Sequence, residues 1–176
     1  MLVVYYVGRA TRIVRIFWLP RPYRATFGAS GIHSQEESML KTKLLHPEIL
    51  QALGSSGHGA QMLIADGNYP FSTGAPPGAR RVYLNLAKDM LGAVDVLKVL
   101  AESVMVEKAT VMLPADGEVP EIFLEFADVL GAGITFTRLK RFEFYDEAKA
   151  DSTCLVIATG ESRRFANILL TIGVVK

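Results

Sequence analysis

The stretch GHGAQMLIADGNYP, residues 57–70, decides how the chain is read. Gln61 to Ala65 is a short, largely apolar run closed by Asp66-Gly67, the pattern of a buried strand with a turn after it. Upstream, His46-Pro47-Glu48 opens a helix, with Pro47 at a first-turn position where its missing N–H costs nothing. Ile49, Leu50 and Leu53 give that helix one apolar face, and Gly54 and Gly57 stop it. A helix, a glycine-flanked histidine and a buried strand therefore follow one another within about 20 residues.

The same alternation continues downstream. Asn68 to Ala79 is rich in Pro and Gly and reads as a loop, longer than most connections and so a place to look for function. Arg81 to Leu86 reads as extended. Met90, Leu91, Val94, Leu97, Leu100 and Ala101 recur at helical spacing. Ala109 to Leu113 is a predicted strand. Pro120 opens a helix with Ile122, Phe123, Phe126, Val129 and Leu130 on its apolar side, ended by Gly131 and Gly133. Ile134 to Thr137 is extended, Arg141 to Ala150 helical, Thr153 to Ala158 a strand, and Asn167 to Val175 extended. Strands alternating with helices predict a single α/β layered domain, a largely parallel sheet flanked by helices.

Composition fits one globular domain with a substantial core: 176 residues, 50% hydrophobic and 21% charged. A formal net charge of +1 gives no global attraction to nucleic acid or an anionic membrane. Cys154 is the sole cysteine, which excludes an intrachain disulfide and argues against a Cys-based zinc site. A reducing, cytoplasmic setting follows as the expectation, and no apolar run is long enough to span a bilayer.

Charge is uneven along the chain. Residues 1–38 carry five arginines and no acid before Glu36, whereas from Met39 onward acids outnumber bases 16 to 14. The leader can be a transit peptide, a basic arm, or upstream sequence included because the start was assigned too early. The last is favoured, because Met39-Leu-Lys begins a segment that reads as a domain by itself. The expected organisation is a disordered extension or mis-assigned start over 1–38 and the domain over 39–176.

Several chemistries lack their motifs. There is no phosphate loop and no Gly-x-Ser-x-Gly elbow. Gly131-Ala-Gly133 lacks the third glycine of the dinucleotide fingerprint and follows a helix, not a strand. His33, His46 and His58 are too widely spaced for a multi-histidine metal site. Proton transfer by His and carboxylate remains. His58 is a candidate, although a histidine after a helix can simply complement the helix C-terminus. Asp66 is another, against ordinary Asp-Gly turn chemistry. Arg141 could as well be a surface arginine paired with Glu143 or Asp146, and Tyr145 with Phe142 looks like a core face. Asn167 opens the last strand, where its amide could read a hydroxyl as donor and acceptor.

Three separated segments together resemble a known family. Gly57-His58-Gly59, an apolar strand, then Asp66 and Pro70 are similar to the opening motif of the ribose pyranase and fucose mutarotase family. Arg141-Phe-Glu-Phe-Tyr145-Asp-Glu-Ala resembles its Arg-Phe-x-Phe-Tyr-Glu-x-Ala segment. Thr159-Gly160-Glu161 followed by Ala166-Asn167-Ile-Leu-Leu and Gly173-Val174 resembles its carboxy-terminal signature. Order and spacing agree from Met39 to the last residues.

The resemblance implies a ribose pyranase-like fold and sugar ring chemistry. Its members interconvert anomers of L-fucose, or pyranose and furanose forms of D-ribose, without metal or organic cofactor. It implies His58 as proton donor, with Asp66, Arg141, residue 165 and Asn167 holding a monosaccharide. It also implies a ring-shaped homo-oligomer, commonly a decamer, with sites near subunit interfaces. Arginine at 141 is similar to the fucose branch, where the ribose branch tends to carry histidine. Two departures stand out: Phe165 occupies a usual tyrosine position, and Ala60-Gln61 replaces an acidic pair common in the fucose branch. The expected function is an L-fucose-type mutarotase working by acid–base ring opening, in which Asp66 orients His58 or accepts a hydroxyl proton. The alternatives are a D-ribose pyranase and a non-catalytic sugar-binding, transport-associated module.

Overall fold

Ten elements succeed one another in a computed structural model that describes residues 40–174. Helix α1 (Pro47–Gly54) carries Pro47 in its first turn and buries Ile49 and Ala52. Strand β1 (Gln61–Ala65) is buried at every position, as a strand packed on both faces must be. Then come β2 (Arg80–Tyr83), α2 (Ala93–Ala101), β3 (Val106–Leu113), α3 (Ile122–Leu130) and β4 (Thr135–Lys140). Helix α4 (Arg141–Ala148), β5 (Thr153–Ala158) and β6 (Ile168–Ile172) complete the domain. The extension read over residues 1–38 lies outside the described residues, as do Met39 and the last two positions.

The six strands form one sheet in the order β2-β5-β1-β6-β3-β4. Five run the same way, with β5 parallel to β1 and β2, and β3 parallel to β4. Only β6 is reversed, lying antiparallel to both β1 and β3. The largely parallel sheet expected from the alternation is thus present, with one antiparallel strand in its centre. Alternate β1 side chains feed two cores. Met62 and Ile64 join Leu97, Leu100, Phe123 and Phe126 beneath α1, α2 and α3. Leu63 and Ala65 join Tyr69, Ala75, Phe144 and Ala148 beneath α4 and the long loop. Among the described residues no helix is long and apolar enough to cross a membrane.

Several sequence expectations shift. Met90 and Leu91 are not in α2; both are exposed, and Leu91 and Asp89 take left-handed backbone (φ 59° and 58°). This segment instead folds over Gly160, where a Cβ would sit 2.3 Å from the carbonyl oxygens of both Ala87 and Met90. Strand β3 begins at Val106, earlier than the apolar run suggests, because Glu107 and Lys108 interrupt the pattern. On α4 the core face is Phe144 and Ala148, whereas Phe142 is 76% exposed. The helix starts directly off β4 at Arg141, so spacing i, i+4 from 144 faces the sheet and residue 142 points away.

An ion pair with a buried carboxylate and a half-exposed arginine ties the helical layer to the loop before β6. Glu161 is 4% exposed and accepts bonds from the Arg163 side chain at 2.9 and 2.8 Å and from the Ala93 N–H at the start of α2. Arg163 also pairs with Glu125 on α3. Bonding to Arg163 holds the Glu161 carboxyl below its ordinary value. A depressed folded-state value contributes stability above the unfolded value of 4.5 that is lost as pH falls through the folded one. Glu161→Gln is therefore expected to lower stability by about 1–2 kcal/mol at pH 7, a figure discounted for the half-exposed Arg163. Urea midpoints measured from pH 7 to pH 3 should converge for parent and variant at the acid end; parallel curves would contradict this assignment.

Candidate active site

The strand directions set what can meet. All five parallel strands end at the same edge of the sheet, and reversed β6 begins there. Asp66 follows β1, Arg141 follows β4, and Phe165 and Asn167 precede β6, so one edge gathers residues distant in sequence. The carboxyl edge of an open α/β sheet, where strand order or direction changes, is a recurrent ligand site. A cavity of about 250 Å³ lies here, lined by Asp66, Tyr69, Met112, Arg141, Phe165 and Asn167, with Asn68, Tyr145 and Arg164. That is slightly smaller than the roughly 300–1,000 Å³ of drug-sized sites and suits a small polar molecule.

Asp66 and Asn167 are the fixed base of this cavity. Both are buried, at 2% and 3% exposure. The Asn167 amide donates to Asp66 Oδ2 at 2.8 Å, and its Oδ1 accepts the Asp66 backbone N–H at 2.9 Å. The Ala166 N–H donates to Oδ2 at 3.2 Å and the Asn68 N–H to Oδ1 at 2.9 Å. Burial pushes the Asp66 carboxyl above its ordinary value, the three donors oppose that shift, and Glu161 nearby adds to it. Oδ1 accepts a single bond, so a lone pair remains for a ligand hydroxyl. The Asn167 amide, expected to read a hydroxyl, spends a donor and an acceptor on Asp66 and so chiefly shapes the carboxylate.

The walls are aromatic and cationic. The Arg141 guanidinium lies 5.6 Å from the Phe165 ring centroid, a cation–π contact, and not against Glu143 or Asp146. Glu143 instead accepts the Lys140 N–H at 3.0 Å at the start of α4. Tyr69 donates to the Gly74 carbonyl at 2.7 Å and meets Tyr145 edge-on at 5.5 Å. Burial, with Tyr145 beside it, pushes the Tyr69 hydroxyl far above its ordinary value, so it stays neutral. Phe165 has φ 62°, a left-handed conformation costing a non-glycine residue roughly 1–2 kcal/mol. The Ala166 N–H on Asp66 and the Arg163 N–H on Glu161, 3.0 Å, clamp it from both sides.

His58 is elsewhere. It precedes β1, so the strand, about 16 Å long, separates it from Asp66. It is half-exposed, and its Nε2 lies 3.1 Å from Glu107 Oε2 on β3. Within one chain Asp66 does not orient His58; Glu107 is the side chain that touches it. The structure thus brings together four of the five residues singled out from the sequence and leaves the histidine at the opposite edge. The sequence does not single out Asn68, Tyr69, Met112, Tyr145 or Arg164 for this cavity. Tyr145 packs against the core as its spacing suggests and lines the cavity as well, and nothing in a one-dimensional pattern tells which face of β3 carries Met112. Among the described residues no group of three or more His, Cys, Asp or Glu side chains gathers to hold a metal.

The fold has known counterparts. Residues 39–175 match the RbsD / FucU transport protein family. A D-ribose pyranase from Variovorax paradoxus is 35% identical over 141 residues, 77% of this chain and 98% of that protein. The human fucose mutarotase is 35% identical over 144 residues, 74% of this chain and 90% of that protein. The structure of Bacillus subtilis RbsD complexed with D-ribose superposes with a TM-score of 0.66 at 27% identity, covering 78% of this chain and all of that one.

Asp66→Asn tests the buried base of the cavity. With its oxygen turned to Ala166 and Asn167, the new amide NH₂ would face the Asn68 N–H, donor against donor. A loss of about 1–3 kcal/mol is expected in urea unfolding at neutral pH; an unchanged midpoint would show that these bonds do not hold the site.

Proposed function

The chain belongs to the RbsD / FucU transport protein family, and on that premise we propose that it is a monosaccharide mutarotase, opening and reclosing a sugar ring by acid–base catalysis. The observation that carries this reading is the convergence of Asp66, Arg141, Phe165 and Asn167 on one small cavity. A buried carboxylate with a free lone pair, a guanidinium and an aromatic face suit a ring bearing several hydroxyls.

Ring opening requires a proton on the ring oxygen and removal of another from the anomeric hydroxyl. After rotation about one bond the transfers reverse, so the reaction neither gains nor loses a proton overall. Asp66 accepts a sugar hydroxyl at Oδ1 and, with its carboxyl raised by burial, is suited to take the anomeric proton. Arg141 and the Phe165 ring hold the sugar, because correct placement itself lowers the barrier. Imidazole is the natural acid, available in both forms near neutrality. Since β1 separates His58 from its own chain's cavity, the histidine comes from a neighbouring copy, and the active protein is a homo-oligomer whose sites lie between subunits. A ring, with the decamer as its expected size, repeats such a head-to-tail contact until it closes.

L-Fucose is the favoured substrate, on the arginine at position 141. The second reading is a D-ribose pyranase, favoured by the similarity to ribose-directed relatives. Phe165 offers no hydroxyl on its wall of the cavity, which weakens sugar binding by roughly 0.5–1.5 kcal/mol relative to a tyrosine there. Saturation-transfer NMR on L-fucose, D-ribose and other monosaccharides separates the readings by whose forms exchange faster. A non-catalytic sugar-binding module would bind without accelerating any exchange.

His58→Ala should cut the exchange rate by about 10²–10⁴, the usual worth of a positioned general acid. His58→Ala and Arg141→Ala proteins, each expected to be strongly impaired alone, should regain part of the activity when unfolded together and reassembled. Mixed oligomers then contain sites with an intact histidine from one copy and an intact arginine from the next. No recovery on co-assembly would place both residues in one chain's site and exclude the shared arrangement.

A further inference from the structure

We propose that the same cavity accepts a monosaccharide carrying a carboxylate, a hexuronic acid, with the anion held between Arg141 and Arg164. The proposal rests on the reading of this cavity as a sugar site and adds a class of ligand to it.

The first observation is an imbalance of charge. Among the described residues, two guanidinium groups and a single carboxylate, Asp66, line the cavity. Asp66 is already engaged, with Oδ2 accepting from Ala166 and Asn167 and Oδ1 from Asn68. Acids near the two arginines are occupied elsewhere. Glu143 accepts the Lys140 N–H at 3.0 Å, and Asp89 accepts the Ser162 N–H at 3.2 Å. Glu161 and Glu125 are both bonded to Arg163. Among the described residues, Arg141 and Arg164 therefore enter no ion pair. Arg81 shows the contrast: its guanidinium is spent on the carbonyls of Phe71, Ala75, Pro76 and Ala79. A guanidinium only donates, and its planar fork matches a carboxylate through two parallel bonds. Two such forks on one small cavity form a receptor for an anion.

The second observation is that the cations are placed by contacts that leave their donors free. The Phe165 ring backs the Arg141 guanidinium at 5.6 Å. Arg164 is carried on a backbone fixed on either side. The Arg163 N–H donates to Glu161 at 3.0 Å, the Ala166 N–H donates to Asp66 at 3.2 Å, and Phe165 between them is left-handed. Arg163 turns to α2 and α3 while Arg164 lines the cavity, so consecutive arginines serve different places. Size then selects the anion. A hexuronic acid differs from its parent hexose by one oxygen in place of two hydrogens. A phosphate ester adds a whole phosphoryl group to a cavity of about 250 Å³. Mutarotation of a uronic acid opens the same ring by the same two proton transfers, and the carboxylate takes no part in them.

The test uses the assembled full-length protein. Saturation-transfer NMR and ligand titration compare D-galacturonate with D-galactose and D-glucuronate with D-glucose, with D-galactose 6-phosphate as a further arm. The parent should bind a uronate about 10-fold more tightly than its hexose, the effect of charge-assisted bonds in a half-open site, and should speed exchange of its anomers. Added salt should shrink that ratio. Arg164→Gln should bring the ratio close to unity, and Arg164→Lys, which keeps the charge and loses the fork, should retain part of it. Arg164 is exposed, so its replacement leaves the fold intact, and the ratio within each protein is its own control. Neutral sugars that bind and exchange while uronates do no better would refute the proposal and leave the sugar site standing; that is the result expected if a neighbouring copy's carboxylate occupies the arginines. A ratio unmoved by Arg164→Gln would refute it as well, and tighter binding of the phosphate ester than of galacturonate would sink the choice of a carboxylate. If no sugar, neutral or acidic, binds or exchanges, the reading of the cavity fails and this proposal with it.

Discussion

The reciprocal bonding of Asp66 and Asn167 is the constraint on which the site depends. Each side chain satisfies the other across the junction of two strands, Asn167 donating to the carboxylate and accepting the Asp66 backbone N–H. Both are buried, so the bonds form where water cannot compete and where an unpaired group would be costly. The pairing pins the start of β6 to the end of β1. It also anchors the Ala166 N–H and so helps hold Phe165 in its left-handed conformation against the cavity. The charge thus held in place is one that burial alone would disfavour.

That junction exists because β6 runs against its neighbours. Were it parallel to β1 and β3, Asn167 would lie at the far edge, beside His58. Reversal brings the loop of residues 159–167 to the carboxyl ends of β1 and β3, and Glu161 with Arg163 stitches it to α2 and α3. The other end of β6 serves the opposite edge, where the Ile172 carbonyl accepts the Gly59 N–H of the histidine loop. One five-residue strand therefore supports both groups of polar residues, and its length keeps them apart. The proposed chemistry then requires the two edges to meet between copies, which makes assembly a condition of activity and not an addition to it.

Much of this was legible in the residues. The boundaries of β1 and β5 follow from apolar runs closed by turns, because strands buried on both faces leave no alternation to obscure them. Helix α3 is bounded by Pro120 and Gly131 as their backbone preferences require. Elements at exposed places were harder. Edge strand β4 is half-exposed, and Leu139, which packs on the second core, stands alone between Arg138 and Lys140, so its last three residues gave no apolar run. Met90 and Leu91 imitated helical spacing but belong to a turn of left-handed residues crossing Gly160. Their periodicity was real; the close approach that overrides it involves a residue some 70 positions away.

By itself, the order of residues determined the layered α/β architecture, the identity of the polar groups worth watching, and the family likeness carried by three short motifs. Those are local or cumulative properties, set by side-chain period, turn chemistry and residue type. Tertiary structure alone decided which polar groups share a space. Strand direction placed Asp66, Arg141, Phe165 and Asn167 at one edge and His58 at the other. Proximity in space depends on how strands are ordered and oriented in the sheet, and that is settled by the packing of the whole core, not by any segment of the chain.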